Sequence, residues 1–293
     1  MKHKAGFVNI IGLPNVGKST LMNELVGEKM SIITSKAQTT RHRILGFVNG
    51  ENYQIVFSDT PGFINQSNYK LHDSMNRFVS STFEDADLLI FLTDKFQDAK
   101  NQADIVVKIK KRKSPLIVVL NKSDLASEQE IEQHINHWTE TLQPDDCIAI
   151  SALKKVNTEL LFEKLLSFLP EHPPYFDKDE LTDRPERFFV SEIIREKLFE
   201  NYSKEVPYSA EVGIEWYKEE AEITKIRALI FVNKKTQKPI IIGRNGAAIK
   251  NLGILSRKEI EQFLDKKVHL ELFVKVKENW RNRDAFLKSF GYK

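Results

Sequence analysis

Over the first 170 residues, short unbroken apolar runs alternate with longer segments whose apolar positions recur every three or four residues. The runs at 7–11, 55–59, 88–94, 116–121 and 148–151 predict strands. Several are continuous Val/Ile/Leu stretches, the pattern of strands covered on both faces. Between them, 18–26, 75–81, 101–111, 127–141 and 156–169 predict helices. Such alternation predicts a doubly wound α/β sheet with its ligand site at the C-terminal ends of the strands. Pro170, Pro173 and Pro174 stop the last helix, and 171–185 reads as a linker. Beyond it the order changes to a helix over 186–201 and strands over 209–218 and 223–233, then a short one over 239–242. A helix then opens after Gly243–Gly246, and a strand of alternating pattern follows over 268–277. The expected division is 1–170, a linker at 171–185, and a smaller α+β domain over 186–293.

Composition narrows the class. A chain of 293 residues suits about two domains. Its longest apolar runs are five residues, against roughly 18–20 for a membrane span. The first residues lack the long apolar core of a secretion signal, and Cys147 is the only cysteine, so no internal disulfide forms; the expected location is intracellular. The seven histidines form no zinc-binding pattern. Net charge is only +3, yet residues 225–293 carry 17 basic and 6 acidic side chains, while 1–175 carry 20 and 21. Basic charge gathered at one end implies an anionic partner there, against the plainer reading of a solvated lysine-rich surface.

The strongest motif is Gly12-Leu-Pro-Asn-Val-Gly17-Lys18-Ser19, between a predicted strand and a predicted helix. Glycines let the backbone wrap phosphates with its N–H groups inward, and the helix N-terminus adds a positive dipole end. Asn15, Val16, Gly17, Lys18, Ser19 and Thr20 are the expected contacts, with Lys18 on the β- and γ-phosphates and Ser19 on Mg²⁺. Asn121-Lys122-Ser123-Asp124 ends another strand and selects the base. A carboxylate at Asp124 accepts both the N1–H and 2-amino hydrogens of guanine, whereas adenine leaves it unpaired. Lys122 can cover the base face and Asn121 can tie this loop to the phosphate loop. Asp59-Thr60-Pro61-Gly62 places Asp59 behind Mg²⁺ through water and the Gly62 N–H at the γ-phosphate. Ser151, Ala152 and Leu153 follow the strand at 148–151, and the Ala152 N–H is expected at guanine O6. In Gln38-Thr39-Thr40-Arg41-His42 a threonine completes the Mg²⁺ shell, Thr40 being favoured over Thr39.

These five elements in this order resemble the translation-factor class of GTPases over residues 5–170. The resemblance implies hydrolysis of GTP to GDP and phosphate, with Lys18, Thr40 and Gly62 acting at the reacting phosphate and two switch segments ordered by it. One position departs: Phe63 stands where many small GTPases carry a water-orienting Gln. Phe cannot polarise water, so slow intrinsic turnover is expected. Asn15 resembles the residue that ligates K⁺ in cation-activated relatives; a loop-stabilising Asn is the alternative.

In the basic end, Gly243-Arg244-Asn245-Gly246 opens a helix that carries Lys250. A Gly-X-X-Gly turn lets a nucleic-acid backbone approach without Cβ obstruction, and Arg244 and Lys250 supply charge. With the strand–strand–turn–helix–strand order, it resembles a type II KH domain, a single-strand RNA reader, ahead of a protein-only docking module. Together with Gln-Thr-Thr-Arg-His-Arg at 38–43, Ser191–Leu198 and His269–Trp280, the chain resembles the bacterial Era family along nearly its whole length. That resemblance implies binding of small-subunit ribosomal RNA near its 3′ end, a role in 30S subunit maturation, a monomeric G protein in the cytoplasm, and peripheral contact with the inner membrane. Two other readings compete. A P-loop enzyme acting on a small acceptor is opposed by the guanine-reading Asp124, and an RNA-binding scaffold with a structural nucleotide would show no turnover.

Overall fold

Five of the six strands in the larger sheet grow from the apolar runs: β1 (Lys4–Ile11), β3 (Tyr53–Asp59), β4 (Leu88–Asp94), β5 (Leu116–Asn121) and β6 (Asp146–Ala149). These come from a computed structural model that describes residues 2–34, 36, 38–64, 67–97 and 102–292. β4 and β5 are buried along their whole length, as their unbroken apolar sequences require. The sixth strand, β2 (Ile44–Asn49), pairs antiparallel with β3 at one edge and was not expected. The order is β2-β3-β1-β4-β5-β6, parallel except for β2, so the sheet is mixed. The short loop 50–52 joins β2 to β3, with Gly50 N–H donating to Tyr53 O at 2.9 Å.

Helices α1 (Lys18–Val26), α2 (Lys70–Ser81), α3 (Ala103–Lys110), α4 (Glu128–Leu142) and α5 (Thr158–Phe168) alternate with these strands. The helix expected over 101–111 begins at Asn101, outside the described residues. α4 starts at a capping box: Glu130 N–H donates to the Ser127 hydroxyl, and the Ser127 N–H donates to the Glu130 carboxylate. That reciprocal pair ends the loop after β5 at a defined place.

By internal contacts the chain forms two units, Met1–Asn68 with His72–Asp183, and Arg184–Lys293 with Tyr69–Leu71. Residues 171–183, read from sequence within a linker, fold onto the outer edge of the first unit. Thr182 bridges Gly46, and Phe47 N–H donates to Leu181 O at 2.8 Å. The buried Gln54 side chain accepts from the N–H groups of Tyr175 and Phe176 and donates to Phe176 O. The Phe176 ring stacks on Phe47 with centroids 4.1 Å apart.

The second unit contains α6 (Glu186–Asn201), α7 (Val206–Ser209), β7 (Ala210–Glu219), β8 (Ile223–Val232), α8 (Gln237–Ile242), α9 (Ala247–Leu264), β9 (Lys267–Val276) and α10 (Asp284–Ser289). β8 is central, antiparallel to β7 and parallel to β9. A parallel pair needs a crossover, which α8 and α9 supply. Ile226, Ala228, Ile230 and Val232, on one face of β8, are fully buried with Val190, Ile194 and Leu198 of α6 and Leu252 and Ile260 of α9. The run at 239–242, placed among the strands by its β-branched residues, is helical. Pro239 lies in the first turn, where its missing N–H costs nothing, and Ile241 is buried while Ile240 is exposed. No helix of the described residues is long and apolar enough to cross a membrane.

Candidate nucleotide and nucleic-acid sites

Four of the five motifs of the first unit follow the parallel strands β1, β3, β5 and β6, and the fifth, 38–42, leads into the edge strand β2, so the topology gathers them at one rim of the sheet. Gly17, at φ 99°, is the N-cap of α1 and has no side chain to occupy its first N–H groups. Lys18 is 6% exposed and donates to Leu13 O at 2.9 Å across the loop. Burial pushes its pKa down to about 8, against the raising effect of the Asp59 carboxylate. A neighbouring polyanion favours its charged form.

Ser19, Thr40 and Asp59 converge although 21 and 40 residues separate them from Ser19. Ser19 Oγ lies 2.9 Å from Thr40 Oγ1 and donates to Asp59 Oδ2 at 2.7 Å. Asp59 Oδ1 is buried with no hydrogen-bond partner among the described residues. Burial raises the Asp59 pKa, with Lys18 opposing. Three oxygens and one orphaned carboxylate atom form a donor set suited to a small hard cation. Thr39 points elsewhere, its hydroxyl donating to Lys36 O at 2.7 Å, so the geometry separates the two threonines. Gly62 packs against Pro14 so closely that a Cβ would lie 2.7 Å from Pro14 Cγ. A cavity of about 300 Å³ joins Pro14, Lys18, Ser19, Thr40, Gly62 and Lys122; Asn15 and Thr20 also line it.

At the base end, Asn121 Nδ2 donates to Val16 O at 2.8 Å, and its Oδ1 accepts from Ala152 N–H at 3.0 Å. The second bond differs from the expectation for Ala152, whose N–H meets Asn121 here. Ser151 is buried and its hydroxyl accepts from Lys154 N–H, while Leu153 is 76% exposed. Lys122, in the left-handed conformation at φ 61°, donates from Nζ to Asn15 O at 2.8 Å. It also pairs with Asp94 Oδ2 at 2.6 Å. Asp94 was not expected in the site. A carboxylate ending an apolar strand, as Asp59 does, was the signal for it. Asp124 is exposed within a one-turn 3-10 helix, Ser123–Leu125. Asn15 is exposed at φ 66°; its backbone carbonyl, not its side chain, does the loop bonding seen among the described residues.

In the second unit, Gly243, Asn245 and Gly246 all have positive φ (73°, 51° and 76°), turning the chain sharply into α9. Arg244 and Lys250 are exposed. Beside the turn, a cavity of about 300 Å³ runs between α9 and β9, lined by Ile249, Lys250, Ile254, Arg257, Leu270 and Leu272. Its apolar floor and cationic rim can take flat bases and phosphates respectively.

The model of a family described as 50S ribosome-binding GTPases matches residues 7–122, and a KH-domain model matches 205–281. GTPase Era of Clostridium kluyveri is 42% identical over 292 residues, covering 99% of both chains. The chain belongs to the Era family of GTPases. A chloroplastic ERA-like GTPase of Arabidopsis thaliana is 42% identical, with 99% of this chain covering 69% of that one. Era in complex with MgGDPNP and nucleotides 1506–1542 of 16S ribosomal RNA superposes with a TM-score of 0.94 at 38% identity, over 99% of each chain. An Aquifex aeolicus Era variant bound to GDP·AlF4⁻ gives 0.91 at 37%, again over 99% of each. This Era-family chain is thus a GTPase with an α/β P-loop domain followed by a KH-type α+β domain.

For an Era-family enzyme the position after Gly62 is informative. Phe63 is 8% exposed and packs with Ile11, Val79 and Phe91, away from the nucleotide cavity. Lys108 Nζ sits 4.7 Å above its ring. Phe63 therefore anchors the segment after Gly62 from behind rather than touching water at the phosphate. Phe63→Ala should retain multiple turnover in the isolated protein while losing about 3–5 kcal/mol of stability. Steady-state hydrolysis with a thermal melt checks both, and loss of turnover in a variant that stays folded would overturn this placement.

Proposed function

We propose that this chain is a GTP-driven switch that binds small-subunit ribosomal RNA near its 3′ end and assists maturation of the 30S subunit. The observation carrying the RNA part is the glycine turn, with Arg244, Asn245 and Lys250 beside the apolar groove. The related Era bound to 16S nucleotides 1506–1542 supports the choice of RNA. In the nucleotide site, Lys18 holds the β- and γ-phosphates and the N–H groups of Asn15 to Thr20 wrap them. Ser19 and Thr40 would hold Mg²⁺ directly and Asp59 through water, a role its orphaned Oδ1 fits. The ion neutralises phosphate charge when bound. Gly62 presents its N–H to the γ-phosphate, and Thr40 links that phosphate to the first switch. Asp124 reads guanine, Lys122 covers its face, and Asn121 with Ser151, Ala152 and Leu153 forms the surrounding wall. Asn15, with its side chain exposed, is placed to add K⁺; faster hydrolysis in K⁺ than in Na⁺ supports that assignment. Cytoplasmic residence, a monomeric state and peripheral inner-membrane contact rest on the family resemblance.

The two switch segments converge on one metal-binding set, so nucleotide state and loop order are linked, and RNA affinity should differ between states. Titrating a 3′-terminal small-subunit RNA against GTP-analogue and GDP forms should give affinities about 5- to 150-fold apart. Equal affinities would remove the switch and leave the scaffold reading.

A further inference from the structure

The nucleotide motifs use the C-terminal ends of the strands; the opposite ends of β4 and β5, about 20 Å away, border a second cavity of about 730 Å³. Lys108, Lys111, Arg112 and Lys113 line it against two carboxylates, Glu84 and Asp87. Asp87 is already engaged, accepting from the Phe7 N–H at 2.8 Å. Within residues 1–175, which carry 20 basic and 21 acidic side chains, five cations stand in the six positions 108–113. The dipole at the end of α3 accounts for cations in its last turn, Lys108 and Lys110. It does not account for Arg112 and Lys113, beyond the helix, turned into a concavity.

Two of the four lining cations are pre-positioned. Arg112 donates to Gln143 O at 3.0 Å, and Lys108 donates to the Ser80 hydroxyl at 3.2 Å. Lys111 and Lys113 are exposed and form no ion pair with a described residue. Phe83, the aromatic among the lining residues, is half-buried against the core of the first unit, while the exposed rim is cationic, so the seat is built for phosphate oxygens rather than for reading bases.

We propose that this cavity is a second nucleic-acid contact, a sequence-independent seat for RNA phosphates on the GTPase domain. It rests on the RNA-binding reading above. Concavity favours a protruding phosphate backbone over the flat surface of a bilayer, whose headgroups share the same chemistry. The seat adds affinity and salt dependence, while selection among sequences stays with the groove beside α9.

The test uses the full chain and a Lys111→Gln/Lys113→Gln double variant, neither side chain serving the fold or the nucleotide site. Two probes are compared by fluorescence anisotropy across a salt series. One is a single-stranded RNA of about 10 nucleotides from the small-subunit 3′ end, and the other is the same RNA extended by a stem-loop. For the extended RNA the double variant should bind about ten-fold more weakly near 0.1 M salt, with a salt slope shallower by about 1.4. The short RNA should bind both proteins equally. Unchanged affinity for the extended RNA, or equal loss for both probes, would overturn the seat. A Gly246→Asp protein separates the readings: it should lose the short RNA and keep weak, Lys111/Lys113-dependent binding of the extended one. If wild-type protein binds neither probe, both readings fall. Sedimentation with phosphatidylglycerol vesicles completes the set: a loss confined to vesicles in the double variant would assign the phosphates to lipid and overturn the RNA proposal.

Discussion

Asp124→Asn is expected to lower GTP affinity by about a hundred-fold or more, because two charge-assisted bonds to the guanine edge are replaced by an amide that offers hydrogens to hydrogens. The loop itself should survive. Ser123 N–H donates to Ile150 O at 2.9 Å, Leu125 N–H donates to Lys122 O at 3.0 Å, and the Ser127–Glu130 box holds the exit. None of these bonds uses the Asp124 carboxylate. Base preference should therefore change without loss of fold. Xanthine carries a carbonyl where guanine carries the 2-amino group, so the variant's amide N–H finds an acceptor there and xanthosine triphosphate should gain affinity. Calorimetry with GTP, ATP and xanthosine triphosphate checks the pattern. GTP affinity within about three-fold of wild type would mean that the base is read elsewhere.

Gly243→Asp and Gly246→Asp should both reduce RNA affinity by about a hundred-fold, but for different reasons. At Gly243 (φ 73°, ψ 174°) a Cβ would stand 2.5 Å from Ala248 Cβ and 2.9 Å from its backbone nitrogen. That backbone region is essentially restricted to glycine. Gly243→Asp should accordingly unfold or reshape the second unit. At Gly246 (φ 76°, ψ 10°) nothing lies within 4 Å of the added Cβ, and the left-handed conformation costs about 1–2 kcal/mol. Gly246→Asp should fold, hydrolyse GTP normally and repel phosphates by charge alone. Gly246→Asn, similar in shape but neutral, should bind RNA within about ten-fold of wild type. Thermal melts read beside RNA titrations separate these outcomes, and wild-type RNA affinity in a folded Gly246→Asp protein would remove the turn from the binding surface.

Four of the five parts of the candidate nucleotide site were legible in the chain because each follows a continuous apolar run, whereas the Thr40 segment does not. β1, β3 and β5 could be read, and Lys18, Asp59 and Asn121 followed by position. β2 was not, since Gly46 interrupts its short run and the switch before it is polar. The helical state of 239–242 was hidden because three consecutive isoleucines look extended, and only the tertiary environment of Ile241 decides. Pairings across the fold were beyond reach. Asp94 meets Lys122, and Ala152 N–H meets Asn121, through distances that no spacing in the chain encodes. Phe63 was seen as an absence of Gln, whereas its burial under Lys108 depends on how α3 packs.

The stretch 171–183 has a practical meaning for anyone isolating the GTPase domain. By forming backbone bonds to Gly46 and Phe47 and seating Gln54, it shields part of an otherwise bare sheet margin. A fragment ending at the prolines after α5 would present β2 to other copies and invite self-association, whereas one ending at Asp183 would retain its own guard against clumping.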